Sequence, residues 1–386
     1  MEFDLVWLLL GLPGAFVLGW LASRMDLRQW RAENRRAPKA YFKGLNYLLN
    51  EQQDQAIDAF IEAVQNDPDT SELHFALGNL FRRRGEYDRA VRVHEHLLSR
   101  GDLGPKDRDR AQHALALDFL KAGLLDRAEE ALARLEGTEF ENPARLARLA
   151  IYERSRDWPQ AAAVARKLDG VQGDFSQRQA HYLCEQAHER LSRQDTEGAL
   201  ALFAQAQAIA PQAARPRIEQ ARLHLQQGRC EAAYTFLAAL AHETPMALPL
   251  AAALLTQAAR SCGKVAEAQA LLEAHYAQAP SLDVLGAIVT LSQYGANADD
   301  PQAGRHWYLR HLQQEPSLVA AAQWLAGERL EHEQHHPQIQ RALENATQPL
   351  LRYRCAACGF EARQHFWQCP GCQSWDSYPP RRIEEL

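Results

Sequence analysis

Most sequence signatures of catalysis are missing from this chain of 386 residues. It holds no P-loop, no Rossmann glycine pattern, no nucleophile elbow and no kinase motif set, so it shows no catalytic constellation and is predicted not to be an enzyme. It also lacks an excess of positive charge. The formal net charge is −6, and an acidic body argues against nucleic acid as the main ligand. Glycine (21) and proline (18) are ordinary in number, which excludes a low-complexity chain. Hydrophobic residues, at 46%, supply ample core for an ordered protein. One near-match to a catalytic motif occurs, where His332, Glu333 and His336 fit H-E-x-x-H. Pro337 disfavours helical geometry at His336 and no second signature accompanies it, so this stretch reads as a polar helix end.

Charge is absent altogether from Leu5 to Ala22, in LVWLLLGLPGAFVLGWLA. Eighteen helical residues span roughly 27 Å, close to a bilayer's hydrocarbon core. Trp7 and Trp20 stand near the two ends, where amphipathic rings favour the interface. A secretory signal would need a positive segment before the run, but Glu2 and Asp4 stand there instead. Residues 24–43 carry seven cations against Asp26 and Glu33. The run is therefore predicted to be a retained transmembrane anchor (1–23) with a basic juxtamembrane segment (24–40). The cations on its C-terminal side predict an N-terminus outside the cytoplasm and the bulk of the chain in it. Arg24, Arg28, Arg31 and Arg35 recur at helical spacing, suited to anionic headgroups or simply to setting topology.

From residue 41 onward the sequence repeats. Gly44, Tyr47 and Ala56 recur 34 residues later as Gly78, Phe81 and Ala90. A small residue, an aromatic three later and an alanine twelve after the small one, at that period, match the tetratricopeptide repeat (TPR). The small residue lets the two helices of a hairpin approach, and the alanine sits where the second helix presses on the first. Following the alanine gives Ala56, Ala90, Ala128, Ala161, Ala199, Ala233, Ala268 and Ala303. The two longest steps coincide with loop-like segments at 101–107 and 169–175. The prediction is an all-α TPR superhelical solenoid over 41–347, of eight to nine repeats, the ninth a degenerate helix pair at 317–347. Such arrays bind peptides and protein partners in a concave groove lined by the first helix of each hairpin. In the second repeat Asn79, Arg82 and Arg83 occupy such positions. They are either a clamp for an acidic segment or a solvated helix face.

Seven cysteines are present. Cys184, Cys230 and Cys262 lie singly within helical patterns and read as small hydrophobes of the packing. Cys355, Cys358, Cys369 and Cys372 form two C-x-x-C knuckles ten residues apart. Two such turns supply a tetrahedral site of four thiolates, for zinc or for a single iron as in rubredoxin. The 348–386 segment is thus predicted to be a small four-cysteine metal-binding domain. It is too short to bury a core, and the metal stabilises it. Phe360, Phe366, Trp367 and Trp375 are expected to cover the site and dock it on the last helices.

Anchor, basic collar, TPR array and terminal knuckles are an uncommon combination. With GNLFRRRGEYDRAVRVH (78–94), AGLLDRAE (122–129) and RYRCAACGF (352–360), the chain resembles the lipopolysaccharide assembly protein B (LapB/YciM) family along essentially its whole length. The resemblance implies a cytosol-facing adaptor at the inner membrane. Its partners would be the membrane protease FtsH, the client LpxC, whose degradation it promotes, and an antagonist, LapC (YejM/PbgA). It also implies gathering of other lipopolysaccharide enzymes, and a rubredoxin-like iron on the four cysteines. Against a full rubredoxin the gap between knuckles is short, and Gln373 stands where the second knuckle has glycine. Iron and zinc therefore both stay open, as do a rubredoxin-like electron-transfer role and a general TPR scaffold with no part in proteolysis.

Overall fold

The computed structural model describes residues 16–17, 19–20, 42–47, 49–66, 70–294, 304–328 and 333–386. Most of the apolar run 5–22 lies outside the described residues, as do Arg24, Arg28, Arg31, Arg35 and Ala303. Among the described residues no helix is long and apolar enough to cross a membrane. The chain divides into two compact units, up to Ser155 and from Arg156 onward.

The first unit contains helical residues 42–47, then α1 (Gln53–Asn66), α2 (Ser71–Arg84), α3 (Tyr87–Ser99), α4 (Pro105–Ala122), α5 (Leu125–Ala133) and α6 (Glu141–Ser155). Its helices are amphipathic at helical spacing. In α3, for example, Ala90, His94 and Leu97 are buried while the charged positions between them face solvent. Gly85 and Gly123 close α2 and α4 in the left-handed conformation, at φ +83° and +77°, where a side chain would be strained.

The second unit begins with α7 (Trp158–Leu168), α8 (Ser176–Ser192), α9 (Thr196–Ile209), α10 (Ala214–Gln226), α11 (Cys230–Glu243) and α12 (Leu248–Cys262). It continues with α13 (Val265–Gln278), α14 (Leu282–Ser292), α15 (His306–Gln314), α16 (Leu318–Ala326) and α17 (His336–Thr347). Asp157, Asp195, Ser281 and Ser317 cap α7, α9, α14 and α16 by accepting a backbone N–H of the first turn. Glu333–His335 form a 3-10 turn and α17 starts at His336, while residue 332, the first of the H-E-x-x-H match, lies outside the described residues.

The repeat register emerges as packing. Ala56, Ala90, Ala128, Ala161, Ala199, Ala233 and Ala268 are all 0% exposed. Four residues after each alanine comes a buried side chain: Phe60 in the first repeat, His94 in the second, Phe203 in the fifth and Leu237 in the sixth. That side chain sets the size limit at the small position. A Cβ on Gly44 would lie 2.8 Å from the Phe60 ring, and one on Gly78 would lie 2.5 Å from the His94 ring. His94 cannot yield easily, because its Nδ1 is bonded to the buried Asp118 carboxylate, which also accepts from Arg82 at 2.9 Å. Thr256, at the small position of a later repeat, satisfies its hydroxyl within its own helix by donating to the Ala252 carbonyl at 2.9 Å.

After α17 the chain forms a small ribbon. Strands β1 (Tyr353–Arg354) and β2 (Glu361–Ala362) pair antiparallel, Tyr353 opposite Ala362 and Arg354 opposite Glu361. Tyr353, Cys355, Cys369 and Tyr378 form its buried centre.

Candidate metal centre

Two backbone turns build the site. In the first, the Cys355 N–H donates to the Phe360 carbonyl (2.9 Å) and the Gly359 N–H to the Cys355 carbonyl (2.9 Å). In the second, the Cys369 N–H donates to Ser374 (2.9 Å) and the Gln373 N–H to Cys369 (2.8 Å). The turns are equivalent, and both need a left-handed residue after the second cysteine. Gly359 takes φ +77° at no cost, whereas Gln373 adopts φ +60° despite its Cβ. The departure from glycine noted in the sequence therefore leaves the knuckle geometry intact.

The four sulfurs lie within 4.8 Å of one another. Cys355 Sγ is 3.8 Å from Cys372 Sγ, and Cys358 Sγ is 3.7 Å from Cys369 Sγ. A metal–sulfur bond of about 2.3 Å in a tetrahedron puts sulfurs about 3.8 Å apart, so the donor set fits one ion. Electrostatics agrees. Burial alone would raise the Cys355 thiol, but the Ser377 hydroxyl and the Cys358 and Ala357 amides bring it down to about 6. The side chain and backbone of Ser374 lower Cys372 as well. At Cys358 the Phe360 amide works to lower the thiol, yet burial and the three neighbouring sulfurs push it up to about 12. A cation at the centre removes that crowding of negative charge. Cys355 and Cys369 are buried, and Cys358 and Cys372 face solvent.

The ribbon is held by the helices of its unit, over a wider stretch than the last helices its aromatic residues suggested. Trp375 stacks on His181 of α8 (centroids 4.7 Å apart, planes at 20°) and sets its edge against Tyr182 and Trp158. Docking therefore reaches α7 and α8, well before the last helices. Trp367 packs against the core formed by α10 to α16, Phe366 joins the ribbon's own centre, and Phe360 is 44% exposed. Beside Trp375, His181 Nε2 lies 2.9 Å from both oxygens of Asp376. Burial lowers the His181 pKa, against the pull of Asp376. The end of the chain meets the later helices. Glu384 accepts from the Leu318 and Val319 amides and Ser317 at the start of α16, while Glu385 accepts from the Leu282 amide at the start of α14. Arg382 forks onto Asp283 at 2.7 and 2.8 Å. His181, Asp376, Ser377 and Glu384 escaped the sequence reading, because their partners lie far away along the chain.

Of the groove positions singled out in the second repeat, Arg82 spends its guanidinium on Asp118, the Ala114 carbonyl and Asn79. Arg83 is exposed. Cys184 is fully buried, with its thiol pushed up to about 12 by burial, and Cys230 and Cys262 are half-buried.

Comparison with known proteins agrees with these parts. The family model described as "Rubredoxin metal binding domain" matches residues 353–379, and tetratricopeptide repeat models match 73–109 and 190–258. Among solved structures, the TPR2AB-domain:pHSP90-complex of yeast Sti1 aligns with 67% of this chain and 100% of that chain. Its TM-score of 0.34 and 14% identity are too low to carry an argument. Lipopolysaccharide assembly protein B of Haemophilus influenzae is 24% identical, covering 99% of each chain. The protein of that name from Escherichia coli K12 is 30% identical over 97% of this chain and 98% of its own length. The alignment spans array and ribbon alike, and the chain belongs to the lipopolysaccharide assembly protein B family.

Proposed function

We propose that the chain is a non-catalytic adaptor in lipopolysaccharide assembly, anchored by residues 5–22 to the inner membrane with its array in the cytoplasm. It captures LpxC and presents it to the membrane protease FtsH, and LapC opposes it. The observation that carries the reading is family membership over nearly the full chain, repeats and ribbon included. TPR hairpins supply a surface for protein partners, and an anchor concentrates that surface where a membrane protease works. In this reading the four-cysteine site is structural: it folds a ribbon that braces α7, α8, α14 and α16. Asn79 and Arg83 belong to the partner-facing surface of the second repeat, with Arg82 holding that surface to α4. The test is LpxC half-life in cells with and without the chain. The adaptor reading expects a longer half-life on deletion, and an unchanged half-life would leave a general scaffold for lipopolysaccharide enzymes. Visible absorption of the purified protein separates ferric thiolate from colourless zinc, and only the first is compatible with electron transfer.

A further inference from the structure

We propose that the cleft between α10 and the ribbon docks a partner's peptide segment bearing a single carboxylate beside an apolar side chain. The inference rests on the adaptor reading and gives it a place and a chemistry. The cleft has a volume of about 530 Å³, with Glu219 and Arg222 of α10 and Leu250 of α12 on one side. Arg363, Trp367 and Arg382 of the ribbon face them. Helices α10 and α12 are the first helices of successive hairpins, the ones that line the groove of a TPR array.

The charges in this cleft do not cancel. Arg382 is matched by Asp283 through two bonds. Arg222 gives one N–H to Glu219 at 2.6 Å, which leaves donors of its five-donor fork for a ligand. Arg363 makes a single long contact, 3.4 Å to Gln348. With Arg382 paired to Asp283 and Arg222 to Glu219, one positive charge is left over, and the donors for an anion come from opposite walls. A carboxylate bridging Arg222 and Arg363 meets both requirements. Glu219 is 6% exposed and its carboxyl is held low. Burial works against that, but His188, 3.8 Å away, and the charges of Arg222 and Arg215 outweigh it. A fixed anion in the wall repels a second carboxylate, which confines the site to segments with one. Leu250 and the half-buried Trp367 offer an apolar floor that a bare anion would leave unused, and this favours a peptide with an apolar neighbour.

The test uses the full chain in detergent micelles and fluorescein-labelled pentapeptides. Their central residue is glutamate, glutamine or lysine, flanked by leucines or by serines. The leucine-flanked glutamate peptide should bind saturably, and its glutamine and serine-flanked counterparts about tenfold more weakly. Arg222→Gln and Arg363→Gln should each weaken it by a similar factor, and Arg363→Gln, which breaks only the long contact to Gln348, should do so without moving the melting temperature. Equal binding of glutamate and glutamine peptides, no saturable binding at millimolar peptide, or indifference to both substitutions would overturn the proposal. LpxC half-life is measured in parallel in cells. Failure of the peptide series while half-life still responds to the chain sinks the cleft alone. A half-life indifferent to the chain sinks the adaptor reading.

Discussion

Replacing Trp375 by alanine tests whether the ribbon is a brace for the helices or an appendage. The indole stacks on His181 and meets Tyr182 and Trp158 edge-on, and those three side chains are 1%, 0% and 4% exposed. Each aromatic pair contributes about 0.5–1.5 kcal/mol beyond area burial. Because one ring serves all three contacts the pair energies do not add in full, and together with the lost burial of a half-buried indole a net loss of about 2–3 kcal/mol follows. In a unit of this size each kcal/mol lowers Tm by about 2–4 °C, so the substitution should cost about 4–12 °C. The damage should also reach the metal, because Ser377, two residues on, contacts Cys355 and its backbone carbonyl accepts the Ala356 N–H at 2.7 Å. Thermal denaturation of the full chain, alongside the rate of metal release to a chelator, measures both effects. Phe360→Ala is the control, because that ring stands 44% exposed and should cost little. A Trp375→Ala protein that melts within a degree of the parent and holds its metal equally long would refute the brace.

Three further outcomes are expected. Gly78→Ala should destabilise by about 1–3 kcal/mol in urea unfolding, since its Cβ would press on the buried His94 ring, and adding His94→Ala should recover much of the strain. Gln373→Gly should stabilise the ribbon by about 1 kcal/mol by relieving the left-handed φ of +60°, with slower metal release as the readout. Stability should also fall on acidification. His181, His275, His311 and His365 are held below the ordinary value of 6.5, chiefly by burial, so the unfolded chain takes up protons first. Tm should therefore be flat above about pH 6.5 and decline below it, and a Tm unchanged down to pH 5 would contradict the assignment.

What the sequence made legible was whatever repeats or clusters locally. Seven alanines in register became seven fully buried helix contacts, because a position that must be small in one hairpin must be small in the next. Paired C-x-x-C turns were legible for the same reason, each turn being a local unit with its own hydrogen bonds. The second repeat marks the limit of that reading. His94 occupies a place that most other repeats fill with phenylalanine or leucine, and its polarity is tolerated only because Asp118 and Arg82 arrive from two other helices. Arg82 consequently looks like a free groove residue in the sequence, whereas in the fold it is committed to a buried carboxylate.

Docking of the ribbon was illegible for the opposite reason. Trp375 and His181 stand 194 positions apart, and neither has a periodic signature. Glu384 and Glu385 read as an ordinary acidic end, yet their carboxylates take up backbone donors at the starts of α14 and α16. Helix N-termini always need acceptors, but nothing in the sequence says which side chain will supply them. The ribbon was expected to dock on the last helices alone. Trp375 and Asp376, three and four residues after the last cysteine, instead meet Trp158 of α7 and His181 of α8, so an ion that orders the second knuckle would act on those helices too. Loss of the ion should therefore be felt in helices far along the chain from the knuckles.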